Sequence, residues 1–466
     1  MNKIKEKIEL GSEPEVLSIL SMVASKQNPI SIELLRLFVH HPSALVKKEA
    51  IRLVSRKNIY ELKNQLDQLT SDGNIKEVSK VATQAVCKLT ESLSEALVQY
   101  NQPDMEIQEA ALCGMLCNKQ KSIRFSAEEI VATLLRSALP EERKRGLHIL
   151  GIVADEYDHP LHSVLLTNEK DNKVLETALA IIGNAASAET IIAGLHYFKQ
   201  KPRLVKTALL KAGATAVPEI ENYLRRQILS YLESTQLILL IGKIGGEEAR
   251  LALGRMIKAK EVNLPATIKA MYRSKYKATQ ASKSFLEEIA KAYIRYAVEL
   301  LFMQRKLQEK TPASNLVQNA IQIELLEIRE ILLCLFGCMY DRKNIKKSRL
   351  ALIANKKESI ANAMEIIEVT VKKELSKYFT ALYEDSGIEE RCNSLRSVYQ
   401  ATEFRGIGDI LQRILSEQPI VYQDWTKACS MYVSKKYAVG IDQQYYVKFL
   451  KAENPMLQET AAFASN

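Results

Sequence analysis

The chain has 466 residues, 47% of them hydrophobic and 26% charged, which is enough apolar surface for a large core and excludes a disordered chain. Aromatics make up only 6%, and glycine (17) and proline (12) are sparse, so helices are expected rather than a sandwich or barrel. The net charge of +10 is a mild excess at this length. It permits contact with nucleic acid or an anionic membrane surface without demanding either, and a solvated helical surface accounts for it more simply.

The N-terminal segment Met1-Asn2-Lys3-Ile4-Lys5-Glu6-Lys7 has no apolar core behind it, so no signal peptide is expected. No run approaches the roughly 20 apolar residues that span a bilayer; the strongest lie at Leu237–Ile241 and Ile331–Phe336. The expectation is a soluble, cytoplasmic polypeptide. An odd number of cysteines, seven, mostly inside apolar helical stretches, fits free and buried thiols in a reducing compartment.

In chain order, one phrase keeps returning. Its clearest copy runs from His41-Pro42-Ser43 through Val46-Lys47-Lys48-Glu49-Ala50 to Val54. Further copies stand at Val81–Val86, Pro103–Leu112, Pro140–Gly151, Asn172–Leu179 and Pro202–Leu209. After a gap it reappears at Lys357–Ile367, Asp424–Tyr432 and Asn454–Ala461. Proline with Ser, Asp or Asn opens a helix, because proline fits the first turn and the small polar side chain caps free amides. Apolar residues at i, i+3, i+4 and i+7 make one buried stripe, and alanine on it lets neighbours approach. One helix pair cannot cover its own stripe, so the next repeat must. Between about Lys258 and Arg349 the phrase weakens. Ser284–Leu301 and Ala313–Met339 there predict two longer helices that interrupt or brace the stack, with Lys306–Ser314 as a mobile connection.

Few constellations point to chemistry. Cys113/Cys117 and Cys334/Cys338 pair thiols four residues apart but lack the second half of a zinc site, which favours helix packing. Asp155-Glu156-Tyr157-Asp158-His159-Pro160-Leu161-His162 gathers metal-type donors, yet its proline and flanking helices favour a solvated turn. His40-His41 reads as a helix end before a turn. Gly242-Lys243-Ile244-Gly245-Gly246 lacks the strand and the Gly-Lys-Ser/Thr ending of a phosphate loop, and reads as a helix C-terminal cap. No catalytic triad, acid/base pair or cofactor fingerprint stands out. The expectation is no catalysis, no metal and no cofactor.

Two basic runs remain. Arg255, Lys258, Lys260, Lys269, Arg273, Lys275 and Lys277, interleaved with Tyr272 and Tyr276, form the first. Arg342, Lys343, Lys346, Lys347, Arg349, Lys356 and Lys357 form the second. Lys269, Arg273, Lys275, Lys277, Arg342, Lys346 and Lys347 are the candidate contact surface. An anionic membrane surface ranks above nucleic acid as its partner, and the plain outer face of helices ranks above both.

The recurring phrase resembles the HEAT repeat, with Lys47 and Lys206 at its usual basic position. Met339-Tyr340-Asp341-Arg342 onward, followed by Ser359–Ile367, is similar to the cytosolic HEAT-repeat region of bacterial transporters related to ATP/ADP translocases. Tyr340, Asp341, Ile345, Ala361, Asn362, Ala363 and Glu365 carry that resemblance, supported by Asp424-Trp425 through Cys429 and by Pro455–Ala461. Its distinctive part spans about Lys283–Ala462. The resemblance implies an all-α, HEAT-like α-solenoid, a right-handed superhelix of helix pairs. Residues 1–257 would hold N-terminal repeats, 258–349 a long-helix bracing segment, and 350–466 C-terminal repeats with the last one cut short. It further implies a non-catalytic interaction or regulatory module at the cytoplasmic face of the inner membrane, with a protein partner or an adjacent membrane or regulatory domain. The transporter segment and any cyclic-nucleotide-binding fold are missing, so no exchange chemistry carries over to a residue here. A free cytoplasmic scaffold and a nucleic-acid-binding HEAT protein, including a HEAT-like DNA glycosylase, are the rival expectations.

Overall fold

Ser43 shows how the recurring phrase becomes structure. In the computed structural model its hydroxyl accepts from the Val46 amide at 3.4 Å, and the helix Ala44–Lys57 starts behind it. Val46, Ala50, Ile51 and Val54 then fall on one face and are fully buried. Asp104 and Asp171 open Met105–Leu116 and Asn172–Ile181 in the same way, accepting from amides two and three residues on. Prolines occupy the first turn of Pro140–Val153 and Pro202–Ala212. The structure describes residues 6–8, 10–25, 31–71, 75–154, 156–157, 161–183, 187–259, 263–308, 312–354, 356–396, 404–417 and 420–465. Among them every regular element is an α- or 3-10 helix and there is no strand.

The chain forms two compact units, Met1–Tyr223 and Leu224–Asn466. In the first, Ala44–Lys57, Lys76–Leu89, Met105–Leu116, Pro140–Val153, Asn172–Ile181 and Pro202–Ala212 stack each on the next in one row. These are the six copies of the phrase that precede the gap in the sequence. The helix before each copy packs against it, so the unit is a row of helix pairs. Gly114 marks the tightest step: a Cβ there would lie 2.2 Å from the Gln84 carbonyl oxygen. Ion pairs rung the row on its wet side, with Lys80 2.8 Å from Glu106 and Arg145 2.9 Å from Glu109. Each such pair contributes at most about 1 kcal/mol, so apolar burial holds the row.

The second unit repeats the scheme with an insertion. Tyr231–Ile244, Leu264–Arg273, Pro312–Met339, Asp424–Lys436 and Pro455–Ser465 stack in order. Two long helices lie in the stretch where the phrase weakens: Gln280–Lys306 has 27 residues, Pro312–Met339 has 28, and they lie against each other. Pro312–Met339 is also a member of the row, although the phrase is not legible there. Five helices then leave the row. Arg342–Ala354 and Lys357–Thr370 pair with each other, Lys373–Tyr383 and Ile388–Leu395 return to Gln280–Lys306, and Ile407–Ser416 packs on Asp424–Lys436. Two buried carboxylates pin this excursion. Glu299 accepts from the Arg413 guanidinium and the Tyr422 hydroxyl. Glu324 accepts from Thr426 at 2.6 Å, from the Gln423 amide at 2.7 Å and from Tyr296. No helix among the described residues is long and apolar enough to cross a membrane.

Candidate functional site

Leu264–Arg273 begins with a cap, the Asn263 side chain accepting from the Ala266 amide at 3.2 Å. It crosses Tyr231–Ile244 very closely, since a Cβ on Gly242 would meet the Ala270 Cα at 2.6 Å. Lys269, Tyr272 and Arg273 sit at i, i+3 and i+4 on this helix and so share a face. The helix ends as a Schellman turn, the Tyr276 amide bonding Met271 O at 3.0 Å and the Lys275 amide bonding Tyr272 O at 3.2 Å. Lys275 takes the left-handed position, φ 60°.

Asp341 caps the facing helix, Arg342–Ala354, accepting from the Asn344 amide at 2.8 Å. This sets Arg342 in the first turn and Arg349 two turns on, on the same side. Gly337, in Pro312–Met339, gives room for Tyr272: a Cβ there would stand 2.4 Å from the ring's Cε2. The Arg342 guanidinium lies over the Tyr272 ring, 3.9 Å from its centroid, and Arg349 lies 5.7 Å from it.

The result is a cleft of about 500 Å³ lined by Leu239, Lys269, Tyr272, Arg273, Glu330, Cys334, Arg342 and Arg349. Four cations face one carboxylate, and that carboxylate, Glu330, is held by Arg349 at 2.7 Å. Among the described residues no acid pairs with Lys269, Arg273 or Arg342, and Arg342 Nη1 is buried without a hydrogen-bond partner. The field reaches Cys334. Burial pushes its thiol up to about 11, while Arg349, Lys269 and Arg342 pull the other way.

Of the seven candidate contact residues, Lys269, Arg273 and Arg342 meet in this cleft. Lys275, Lys277, Lys346 and Lys347 are exposed and line none of it. Arg349 and Tyr272 belonged to the basic runs but not to the selected set. Glu330 stands outside both basic runs. The i,i+4 pairs 269/273 and 330/334 and the i,i+7 pair 342/349 were the available signal.

The other constellations have structural roles. Both cysteine pairs are free thiols; burial pushes Cys117 and Cys338 up to about 12 and Cys113 higher. Asp155, Asp158, His159 and Pro160 lie outside the described residues, as do residues 309–311 of the connection Lys306–Ser314. The described members near them are engaged: Glu156 with Lys88 at 2.6 Å, Tyr157 with Glu128, and buried His162 with Ala178 O at 3.1 Å. Among the described residues no group of three or more His, Cys, Asp or Glu could hold a metal. Gly245 (φ 69°) is the C-terminal cap of Tyr231–Ile244, its amide bonding Ile241 O at 3.1 Å. His40 ends Ile32–Val39, and His41 Nδ1 accepts from the Ser43 amide. Tyr340 packs edge-on against Phe336 beneath Lys283, Ile345 and Ala363 are buried, and Asn362 and Glu365 are exposed. Trp425 is 47% exposed at the start of its helix and lines no part of the cleft.

No family model and no curated protein matches the sequence.

Proposed function

We propose that this chain is a non-catalytic interaction or regulatory solenoid of HEAT type, serving as the cytosolic part of a nucleotide-transporter-like membrane protein. The observation that carries the reading is the agreement between sequence repeat and packing: six successive copies of one phrase form one row in the first unit. Rows of this kind offer a long face built by repetition, suited to a partner domain rather than a small reacting group. The finer right-handed superhelix and the transporter context rest on the family resemblance. Incubated with ATP or ADP, the purified chain should neither hydrolyse nor transfer phosphate. Turnover that persists through successive purification steps would overturn the reading. In fractionated cells the protein is expected at the cytoplasmic face of the inner membrane. Recovery wholly in the cytosol would instead favour a free scaffold.

One observation favours membrane contact as a second role. The exposed side of Arg342–Ala354 carries Lys343, Lys346 and Lys347, followed by Leu350 and Ile353 at 58% and 61% exposure. Lysines beside exposed aliphatics suit an interfacial helix on anionic lipid. Flotation with phosphatidylserine vesicles should depend on salt and be lost in the double variant Lys346→Glu/Lys347→Glu; flotation unchanged by that variant would exclude the role.

A further inference from the structure

We infer that the cleft between Leu264–Arg273, Pro312–Met339 and Arg342–Ala354 is a binding site for a small ligand bearing two or more phosphate groups. The inference stands whether or not the helical rows serve a protein partner. Three features argue for a compact polyanion. Lys269, Arg273 and Arg342 converge on one concavity of about 500 Å³ and have no carboxylate of their own. A single carboxylate ligand would leave most of that repulsion in place, whereas linked phosphates answer several cations at once. Guanidinium groups also present paired donors that match phosphoryl oxygens, with Lys269 as the point charge beside them.

Arg342 adds a geometric point. Its Nη1 is shut off from water and donates to no described group. A charged donor left so is costly, and its stacking on Tyr272 fixes the guanidinium plane without satisfying that N–H. A phosphoryl oxygen in the cleft that Arg342 lines supplies the missing acceptor once the guanidinium turns Nη1 toward it. Glu330 does not oppose this, because Arg349 already neutralises it at 2.7 Å.

Nucleic acid fits less well. Non-specific single-strand binding uses a groove that tracks the backbone and free aromatic faces for bases. Here the one aromatic of the cleft is Tyr272, only 9% exposed, with Arg342 over its ring and Gly337 against its edge. A flat membrane contact would draw on Lys346 and Lys347, which lie outside the cleft.

Calorimetric titration of the full chain with inorganic tripolyphosphate, pyrophosphate and orthophosphate tests the site, with citrate as the carboxylate control. Affinity should rise from orthophosphate to tripolyphosphate, and citrate should bind at least tenfold more weakly than tripolyphosphate. Arg273→Glu, at an exposed position that leaves packing intact, should weaken tripolyphosphate more than tenfold, as should Arg342→Met. Lys346→Glu/Lys347→Glu should change it less than twofold. Failure of tripolyphosphate to bind, equal losses in the cleft and outer variants, or tighter binding of a single-stranded oligonucleotide that tripolyphosphate does not displace would each overturn the assignment. Far-UV circular dichroism and the thermal midpoint of each variant separate lost binding from lost fold.

Discussion

Lys275 and Glu324 show what single residues contribute. Lys275 holds the left-handed position of a Schellman turn, where a Cβ is disfavoured and glycine is the usual occupant. Lys275→Gly should therefore raise stability by about 1 kcal/mol, read as a higher urea midpoint, and leave tripolyphosphate affinity unchanged because Lys275 lines no part of the cleft. Glu324 is fully buried, and burial raises its carboxyl above the ordinary range, with nearby Glu327 adding to the rise; donors from Thr426, Tyr296 and the Gln423 amide partly offset it. The folded state thus binds the proton more tightly than the unfolded chain. Its stabilisation is complete below the ordinary carboxylate pKa, near 4.3, and is lost as pH rises through the raised folded value. Glu324→Gln stays neutral and can keep the Gln423 and Tyr296 donors on its oxygen. It should flatten that decline, so that variant and native stabilities diverge in the variant's favour as pH rises from about 4 to 8. A parallel pair of pH profiles in urea unfolding would contradict the assignment.

At the scale of elements, glycines decide which helices touch. Gly337 lies beneath Tyr272, and Tyr272 beneath Arg342, so the cleft floor depends on a side chain that is missing. Gly337→Ala should force the ring aside, lower stability by about 1–3 kcal/mol and weaken tripolyphosphate binding although no cation is removed. Binding at native strength in a folded Gly337→Ala protein would show that Tyr272 does not hold Arg342 in place. The same glycines explain what could be read in advance. Helices and their buried stripes were legible, because capping residues and a 3.6-residue period act within one segment. So was the row in the first unit, since successive copies of one phrase must cover each other. Lys269, Arg273 and Arg342 were legible as cations but not as neighbours. Their meeting depends on Gly242 against Ala270 and Gly337 against Tyr272, contacts between segments up to 65 positions apart. Glu330 was hidden for the same reason: nothing within its own helix says that Arg349 will reach it. In the second unit phrase and row part company: Leu264–Arg273 and Pro312–Met339 belong to the row although the phrase weakens there, whereas the copy at Lys357–Ile367 lies in one of the five helices that leave the row before it continues at Asp424–Lys436.

For the whole molecule, the two units each have their own row and core, and that has a thermodynamic consequence. Stability in stacked repeats is a sum of local terms and nearest-neighbour interfaces, so a change in one unit need not be felt in the other. Unfolding of the full chain should depart from two-state behaviour, with a calorimetric enthalpy larger than the van't Hoff value. Two substitutions assign the transitions. Gly114→Ala places a Cβ against the Gln84 carbonyl and should lower only the transition of residues 1–223. Arg413→Met takes the Arg413 guanidinium away from Glu299, which is fully buried, and should lower only the transition of residues 224–466, by up to about 3–5 kcal/mol. Tripolyphosphate acts in the opposite sense on that second transition alone: at 100 times its Kd it should add about 2.7 kcal/mol by mass action. Scanning calorimetry of the native chain and both variants, with and without tripolyphosphate, reads all three shifts. A single transition that moves as one under every perturbation would mean that the units fold as one cooperative body, and would remove the basis for assigning the ligand's effect to residues 224–466.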